Sequence, residues 1–139
     1  MNITYVNAIS VEDYNMLHVA VGWGARKPEM VRAALARTDY LICARVGEKT
    51  IGMARFIYDG LQALIMDVVV LPEYQKQGIG KALMTQLMER LGELSRGSGI
   101  MVNLMSAKDR DGFYEQFGFE NRPNERRGPG MTLWLEKPV

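Results

Sequence analysis

A buried strand that turns through a glycine-containing loop into a long amphipathic helix constrains this fold more than any other feature. The run from Leu61 to Leu71 is rich in β-branched residues and almost continuously apolar at its end, which predicts a central strand that stops at Pro72. From Ile79 to Leu94, apolar residues recur at steps of three and four, which predicts a helix that packs against a sheet. A further strand at Ile100 to Met105 completes a parallel strand–helix–strand unit.

The remaining elements predict a mixed sheet with helices around it. Helices are expected at Val11 to Val19, Glu29 to Ala36 and Gly112 to Phe117. Further strands are expected at Ile3 to Val6, Tyr40 to Val46, Thr50 to Tyr58 and Met131 to Leu135. We therefore expect one domain spanning residues 1–139, with an α/β fold whose mixed α+β sheet has about six to seven strands.

Charge and composition exclude several function classes. The chain has 17 basic and 16 acidic residues, and a net charge of +1 gives no strong field for nucleic acid or an anionic membrane. No apolar run approaches the roughly 20 residues that span a bilayer. The single Cys43 cannot form an intramolecular disulfide, and MNITYVNAIS lacks the regions of a secretory signal. We expect a cytoplasmic protein without bound metal, nucleic-acid partner or membrane partner; a homodimer stays open.

The turn between the central strand and the long helix has the composition of an anion site. Gly78 and Gly80 carry no side chains, so the amide N–H groups of the first helical turn can face outward. These amides and the positive end of the helix dipole favour a phosphate or pyrophosphate, with Gln75, Lys76 and Lys81 as nearby donors. A strand-to-helix turn without a ligand is the alternative.

Two common phosphate motifs do not fit this loop. The dinucleotide fingerprint needs Gly or Ala at its third glycine position, where this chain has Leu83. The Walker pattern needs Ser or Thr after the Gly-Lys pair, where this chain has Ala82, and an earlier glycine where it has Gln75.

A third pattern, Gln/Arg-x-x-Gly-x-Gly/Ala, does match at Gln75, Gly78 and Gly80, after the segment VVVLPEY. This segment resembles the acetyl-CoA motif of the GNAT superfamily of N-acetyltransferases. The resemblance implies that the loop amides hold the pyrophosphate of acetyl-CoA and that the preceding strand pairs its backbone with the pantetheine arm. It implies coenzyme contacts at Val68, Val69, Val70, Gln75, Lys76, Gln77, Gly78, Ile79, Gly80 and Lys81.

The segment GFYEQFGF, Gly112 to Phe119, resembles the second signature of the same family. Tyr114 matches the tyrosine that many members use as a general acid, since a phenol with pKa near about 10 can protonate a thiolate formed beside it. A core aromatic role is the alternative. Ala107 stands where the family usually has a polar residue, seven positions before the tyrosine. The candidates to replace that contact are Ser106, Lys108 and Asp109.

Asp67 is the acidic candidate for taking a proton from the acceptor amine. Alkylamines with pKa near about 10 are mostly protonated at pH 7, so a base or a water chain must remove a proton. Asp67 lies in an otherwise apolar strand, where an unpaired carboxylate is costly. A structural aspartate bonded to its neighbours is an equal alternative, and so is a water relay.

The segments AVGWGARKPEMVRAAL, DVVVLPEYQKQGIGKAL and FYEQFGF together resemble small GNAT proteins related to plant chloroplast serotonin N-acetyltransferases. That resemblance implies an arylalkylamine or, as in some members, a protein lysine as acceptor. Trp23, in a glycine-flanked loop, is expected to form a wall of the acceptor pocket, with core packing as the alternative; His18 is expected at the pocket edge. We expect direct acetyl transfer to a small or peptide primary amine in a ternary complex. A non-catalytic acyl-CoA sensor is the alternative.

Overall fold

The computed structural model describes residues 1–138, in which five strands form one sheet. The strands are Ile3–Val6 (β1), Tyr40–Val46 (β2), Lys49–Tyr58 (β3), Gln62–Val70 (β4) and Met101–Leu104 (β5). They lie side by side in chain order, and β1 to β4 pair antiparallel. A hydrogen bond of 3.1 Å from Met101 N to Leu61 O joins the starts of β5 and β4. These two strands therefore run parallel, and the sheet is mixed.

Four α-helices are present in the described residues, and the first two begin where local capping rules place them. The four helices are Val11–Ala20 (α1), Pro28–Ala36 (α2), Ile79–Leu94 (α3) and Asp111–Glu115 (α4), with a short 3-10 turn at Pro72–Tyr74. The Ser10 side chain accepts a hydrogen bond from Asp13 N at 3.0 Å, which caps α1. Pro28 occupies the first turn of α2, where its missing N–H has no cost. The helix between β4 and β5 has the bounds that the sequence predicts.

One face of the sheet is covered by α3. The buried side chains of this helix recur at helical spacing: Ile79, Leu83, Met84, Leu87 and Leu91. Gly52 of β3 allows close contact beneath them, because a Cβ at this position would lie 2.8 Å from Val69 O and 3.4 Å from Leu83 Cδ1. Position 52 therefore has room for a hydrogen only.

The opposite face of the sheet is the one that α1 contacts. Gly52 pairs with Ala44 and Arg55 pairs with Leu41 on β2, and residues three apart on a strand point to opposite sides. Gly52 faces α3, so Arg55 faces away from α3. The Arg55 side chain contacts the carboxylate of Asp67 in β4, which side chains of α1 also contact. Asp67 belongs to the candidate site.

By their internal contacts, the described residues divide into two units. The first, residues 1–103, contains α1, α2, α3 and nearly the whole sheet. The second begins at Leu104 and contains α4 and the chain that follows it. The expectation of a single domain stays a prediction.

The predicted closing strand at Met131 to Leu135 is not a strand in the structure. Met131, Leu133 and Leu135 are 86%, 82% and 82% exposed. Their alternation is typical of a strand, but a strand also needs a neighbour whose N–H and C=O groups pair with its own. The described residues thus give a five-stranded sheet rather than one of about six to seven strands.

Candidate active site

A bulge interrupts β4 in the segment where the sequence predicts coenzyme contacts. The pairing with β3 shifts so that Ala54 alone faces two residues of β4, Asp67 and Val68. Asp67 has a φ of 55°, in the left-handed region, which costs a residue other than glycine about 1–2 kcal/mol. A bulge leaves a residue outside the ladder and bends the strand. The backbone at Val68 is therefore placed differently from that of a regular strand.

Three donors surround the Asp67 carboxylate. Tyr14 Oη and Arg55 Nε lie 2.8 and 2.6 Å from Oδ2, and His18 Nε2 lies 2.9 Å from Oδ1. The Asp67 side chain is 16% exposed. Burial acts to raise its pKa, but the hydrogen bonds and charges of His18 and Arg55 outweigh burial and lower the pKa to about 2.

This pKa determines what Asp67 can do chemically. The group is ionised at neutral pH and has little affinity for a proton. Moving a proton to it from an alkylammonium of pKa about 10 is therefore strongly unfavourable. The structure therefore shows a carboxylate suited to accept hydrogen bonds from fixed partners.

His18, which the sequence predicts at the pocket edge, has a buried side chain that points from α1 towards Asp67 of the sheet. Its Nδ1 lies 2.7 Å from Tyr14 O, and its ring stacks on that of Tyr14 with centroids 4.0 Å apart. Both ring nitrogens thus have protein partners in this structure.

Trp23 stands at the surface beside this buried histidine. It is 48% exposed and therefore not a core residue, and its ring meets the His18 ring edge-on at 5.4 Å. Gly22 and Gly24, with φ of 84° and 81°, flank it. The Trp23 and Gly24 amides donate to His18 O at 2.8 and 3.2 Å. The loop is thus attached directly to the end of α1 that carries His18.

The loop before α3 has the backbone of an anion cradle. Gly78 is the N-cap, with a φ of 82° and no side-chain cap bond. The first bond of the helix runs from Ala82 N to Gly78 O at 3.0 Å, so the preceding amides have no carbonyl partner within the helix. These amides belong to Ile79, Gly80 and Lys81. With the dipole of a 16-residue helix behind them, they can bind an anion such as a phosphate group.

Side chains of the loop fix its shape. Gln75 Nε2 donates to Val70 O at 2.9 Å, so the amide predicted to be a phosphate donor is bonded to β4. Lys76 has a φ of 61°. Gln77 Nε2 donates to Glu73 O at 3.3 Å. Lys76 and Lys81 are exposed and carry the positive charge of the loop.

The second unit carries Tyr114 on α4. The side chain is buried, with its ring edge-on to Phe113 at 5.0 Å and to Phe119 at 6.3 Å. Burial raises the pKa of Tyr114, and the charge of Arg110 opposes that shift. The phenol is therefore protonated at neutral pH, as a proton donor must be.

The polar candidates before α4 differ in their surroundings. Ser106 Oγ donates to Ala107 O at 2.8 Å, so its proton is already used. Asp109 is exposed and has a φ of 64° in the turn that Arg110 N closes on Ala107 O at 3.1 Å. The Ser106 oxygen can still accept a hydrogen bond.

Asp67 and the three residues that contact its carboxylate, Tyr14, His18 and Arg55, form the Asp67 cluster. Two of these residues, Tyr14 and Arg55, were not predicted from the sequence. Arg55 is buried in β3 and also donates from Nη1 to Thr38 Oγ1 at 3.0 Å. A signal for it existed, because Arg55 is a single charge in the apolar run TIGMARFIY. Tyr14 lies four residues before His18 on a helix, a spacing that puts two side chains together.

Among residues 1–138, no helix is both long and apolar enough to cross a membrane. In the same residues no group of three or more His, Cys, Asp or Glu side chains is arranged to hold a metal ion.

Comparison with known proteins relates these features to one family. The family model for the acetyltransferase (GNAT) domain matches residues 37–121. The chain is 35% identical over 125 residues to GCN5-related N-acetyltransferase 1, chloroplastic, of Arabidopsis thaliana. It is 31% identical over 126 residues to Serotonin N-acetyltransferase 2, chloroplastic, of Oryza sativa. Each match covers 86% of this chain but only 61% of the plant protein.

A solved structure agrees over nearly the whole chain. It is a probable acetyltransferase from Staphylococcus aureus, with a TM-score of 0.86 and 26% identity, covering 96% of this chain and 100% of that one. The expected GNAT-like fold is confirmed. With the family model matched from β2 through α4, the chain belongs to the GNAT acetyltransferase family.

Proposed function

We propose that this chain transfers the acetyl group of acetyl-CoA to a primary amine. The observation that carries the proposal is the row of first-turn amides after Gly78, which have no carbonyl partner within α3 and which one loop connects to the bulged strand β4. Such a helix start binds phosphate groups of a coenzyme. Acetyl-CoA supplies the activated acetyl thioester, and members of the GNAT family use this coenzyme in general.

We assign coenzyme binding and proton transfer to the following groups of the chain. The backbone of Val68, Val69 and Val70 pairs with the pantetheine arm and polarises the thioester carbonyl. Loop residues 75–81 hold the pyrophosphate, and Ser106 or Asp109 supplies a further polar contact. Tyr114 donates a proton to the departing thiolate. Water takes the proton of the amine, because the low pKa of Asp67 makes that carboxylate a weak base.

Direct transfer within a ternary complex is favoured over an acyl-enzyme route. The single cysteine, Cys43, is buried, and burial raises the pKa of its thiol although Thr50 and Arg45 oppose that shift. A thiol in that state is a poor nucleophile. The amine is then the attacking group.

An arylalkylamine is the first acceptor class that we propose. A half-exposed Trp23 offers an aromatic face, and the serotonin N-acetyltransferase among the relatives supports this class. Polyamines and peptide amines are the other classes. The proposal involves no nucleic acid and no membrane, and it holds equally for a monomer and a homodimer. A cytoplasmic location stays a prediction.

Acceptor-dependent release of thiol from acetyl-CoA tests the function. The panel comprises tryptamine, serotonin, spermidine, free amino acids and a lysine-containing peptide. We expect release with at least one amine, and fastest release with the arylalkylamines. Tight acetyl-CoA binding without release from any member would overturn the proposal in favour of an acyl-CoA sensor. Faster release with the peptide would keep the reaction and change the acceptor.

A further inference from the structure

We propose that Asp67 is a positioning residue rather than the proton acceptor, and that it acts by holding His18 as an imidazolium. The charge state of His18 follows from hydrogen-bond geometry alone. The consequence for catalysis rests on the proposed function.

Both ring nitrogens of His18 face oxygens that can only accept. Nδ1 lies 2.7 Å from the carbonyl oxygen of Tyr14, and Nε2 lies 2.9 Å from a carboxylate oxygen of Asp67. A neutral imidazole has one N–H, so one of these short contacts would bring two lone pairs together. Only the imidazolium carries a proton for each oxygen.

Of the charged groups around the ring, the Asp67 carboxylate favours a cation and the Arg55 guanidinium opposes one. Asp67 from β4 contacts the ring directly, and Arg55 from β3 reaches the same carboxylate at 2.6 Å. From α1 itself, Tyr14 donates to Asp67, and burial together with that carboxylate raises the pKa of Tyr14 to about 12. Tyr14 therefore stays a neutral donor. Trp23, on the following loop, does not titrate.

The ion cluster formed by Arg55, Asp67 and His18 joins two parts of the proposed site. At one end, hydrogen bonds to the Asp67 side chain offset the energetic cost of its left-handed backbone conformation in the β4 bulge. At the other end, the carbonyl of His18 receives the amides of Trp23 and Gly24. The cluster thereby fixes the strand proposed for the coenzyme relative to the loop proposed for the amine.

The chain contains a single histidine, so the NMR signals of its ring nitrogens are unambiguous. Correlation spectra of ¹⁵N-histidine-labelled protein at pH 7 report whether one or both ring nitrogens carry a proton. We expect both in the wild-type chain, and one in Asp67→Asn. A neutral ring in the folded wild-type chain at pH 7 would overturn the proposal, whatever the variants do.

Kinetics supply the second arm of the test. If Asp67 acts through His18, Asp67→Asn and His18→Gln lower turnover by similar factors, and the double variant is no worse than the more damaging single one. If Asp67 is the base, Asp67→Asn alone loses about 10²- to 10⁴-fold and His18→Gln keeps most of the activity. That second pattern would contradict a positioning role.

A matched control loosens α1 without touching Asp67. Thr50 Oγ1 donates to Asp13 Oδ2 at 2.7 Å, a separate bond between the sheet and α1. We expect Thr50→Val to leave both protons on His18 and the KM for the amine unchanged. An effect equal to that of His18→Gln would show that any loosening of α1 suffices and would overturn the specific role. If the wild type transfers no acetyl group, the proposed function fails, and the NMR arm still decides the state of His18.

Discussion

The side-chain amide of Gln75 donates a hydrogen bond to the carbonyl of Val70 across 2.9 Å. This bond ties the loop before α3 to the last residue of β4. The strand proposed for the pantetheine arm and the loop proposed for the pyrophosphate are therefore held in one fixed arrangement. The pantetheine arm and the pyrophosphate are adjacent parts of one coenzyme, so their binding sites need such a fixed spacing.

Replacing Gln75 by Ala is expected to raise the KM for acetyl-CoA by about 2- to 10-fold, because one hydrogen bond contributes about 0.5–1.5 kcal/mol to the loop arrangement. Turnover at saturating coenzyme should stay unchanged. Steady-state kinetics with varied acetyl-CoA measure both. Ser95→Ala serves as control, since it removes a side-chain bond to Gly92 O at the other end of α3. An unchanged KM in Gln75→Ala would show that the bond does not matter for binding.

A Gly78→Ala change should lower the free energy of unfolding by about 1–2 kcal/mol and weaken acetyl-CoA binding at least about tenfold. The reason is conformational, since a Cβ at Gly78 meets nothing within 4 Å while its φ is 82°. Gly92, inside α3, also has open space and is the control: Gly92→Ala should stabilise the helix by about 0.5–1 kcal/mol. Thermal unfolding with and without acetyl-CoA reports both quantities. Equal behaviour of the two variants would contradict the assignment.

Removing the hydroxyl in Tyr114→Phe should lower kcat by about 10²-fold or more, with little change in the affinity for acetyl-CoA. The raised pKa of Tyr114 also predicts that kcat does not fall through loss of this proton up to about pH 10. Tyr58→Phe, which loses only a surface bond of 3.3 Å to Gly60 O, is the matched control. An unchanged kcat at saturating substrates would exclude Tyr114 as the acid.

For the acceptor side, Trp23→Ala should raise the KM for an arylalkylamine by about 5- to 50-fold and leave the KM for acetyl-CoA unchanged, because an aromatic wall is lost. Trp134 is 50% exposed against 48% for Trp23, so Trp134→Ala removes a similar exposed ring elsewhere in the chain. We expect no change in the KM for the amine there. An equal loss of affinity for the amine in both variants would contradict a role for Trp23 as a wall of the acceptor pocket.

Acid should destabilise the fold through Asp67. Its pKa falls from the usual 3.8 to about 2, so the ionised group stabilises the folded state above pH 3.8 and this contribution disappears as the pH falls towards 2. The contribution is about 2 kcal/mol. Urea unfolding at pH 5, 4, 3 and 2 should show the stability advantage of the wild type over Asp67→Asn shrinking by that amount. A constant difference across the series would argue against the shifted pKa.

Local patterns made much of the fold predictable. The bounds of β1, β2 and α3 agree with those that the sequence indicates, and β4 differs by one residue at each end. These elements depend on periodicity, proline and glycine positions and caps, all of which lie within a few residues of each element. The prediction of a closing strand was wrong because the alternation at Met131 to Leu135 contains no information about a pairing partner.

The Asp67 cluster could be predicted only in part. An aspartate in an apolar strand indicated a partner, and the sequence left open whether that partner was structural. His18 lies 49 positions away and Arg55 lies 12 positions away, and both reach the carboxylate only because of the strand register and the placement of α1. The bulge itself is a property of two strands together, so the run DVVVL does not show it.

Gly52 sets a limit on how this chain can diversify. With Val69 O 2.8 Å from where its Cβ would stand, even alanine pushes β3 away from β4 at the end of the strand that precedes the loop. In a library randomised at every position, we expect position 52 to return glycine alone among the active clones. The surface at Trp23, by contrast, has room for other side chains. New acceptor preferences would therefore arise by substitution in that loop, while the strand pair beneath α3 stays constant.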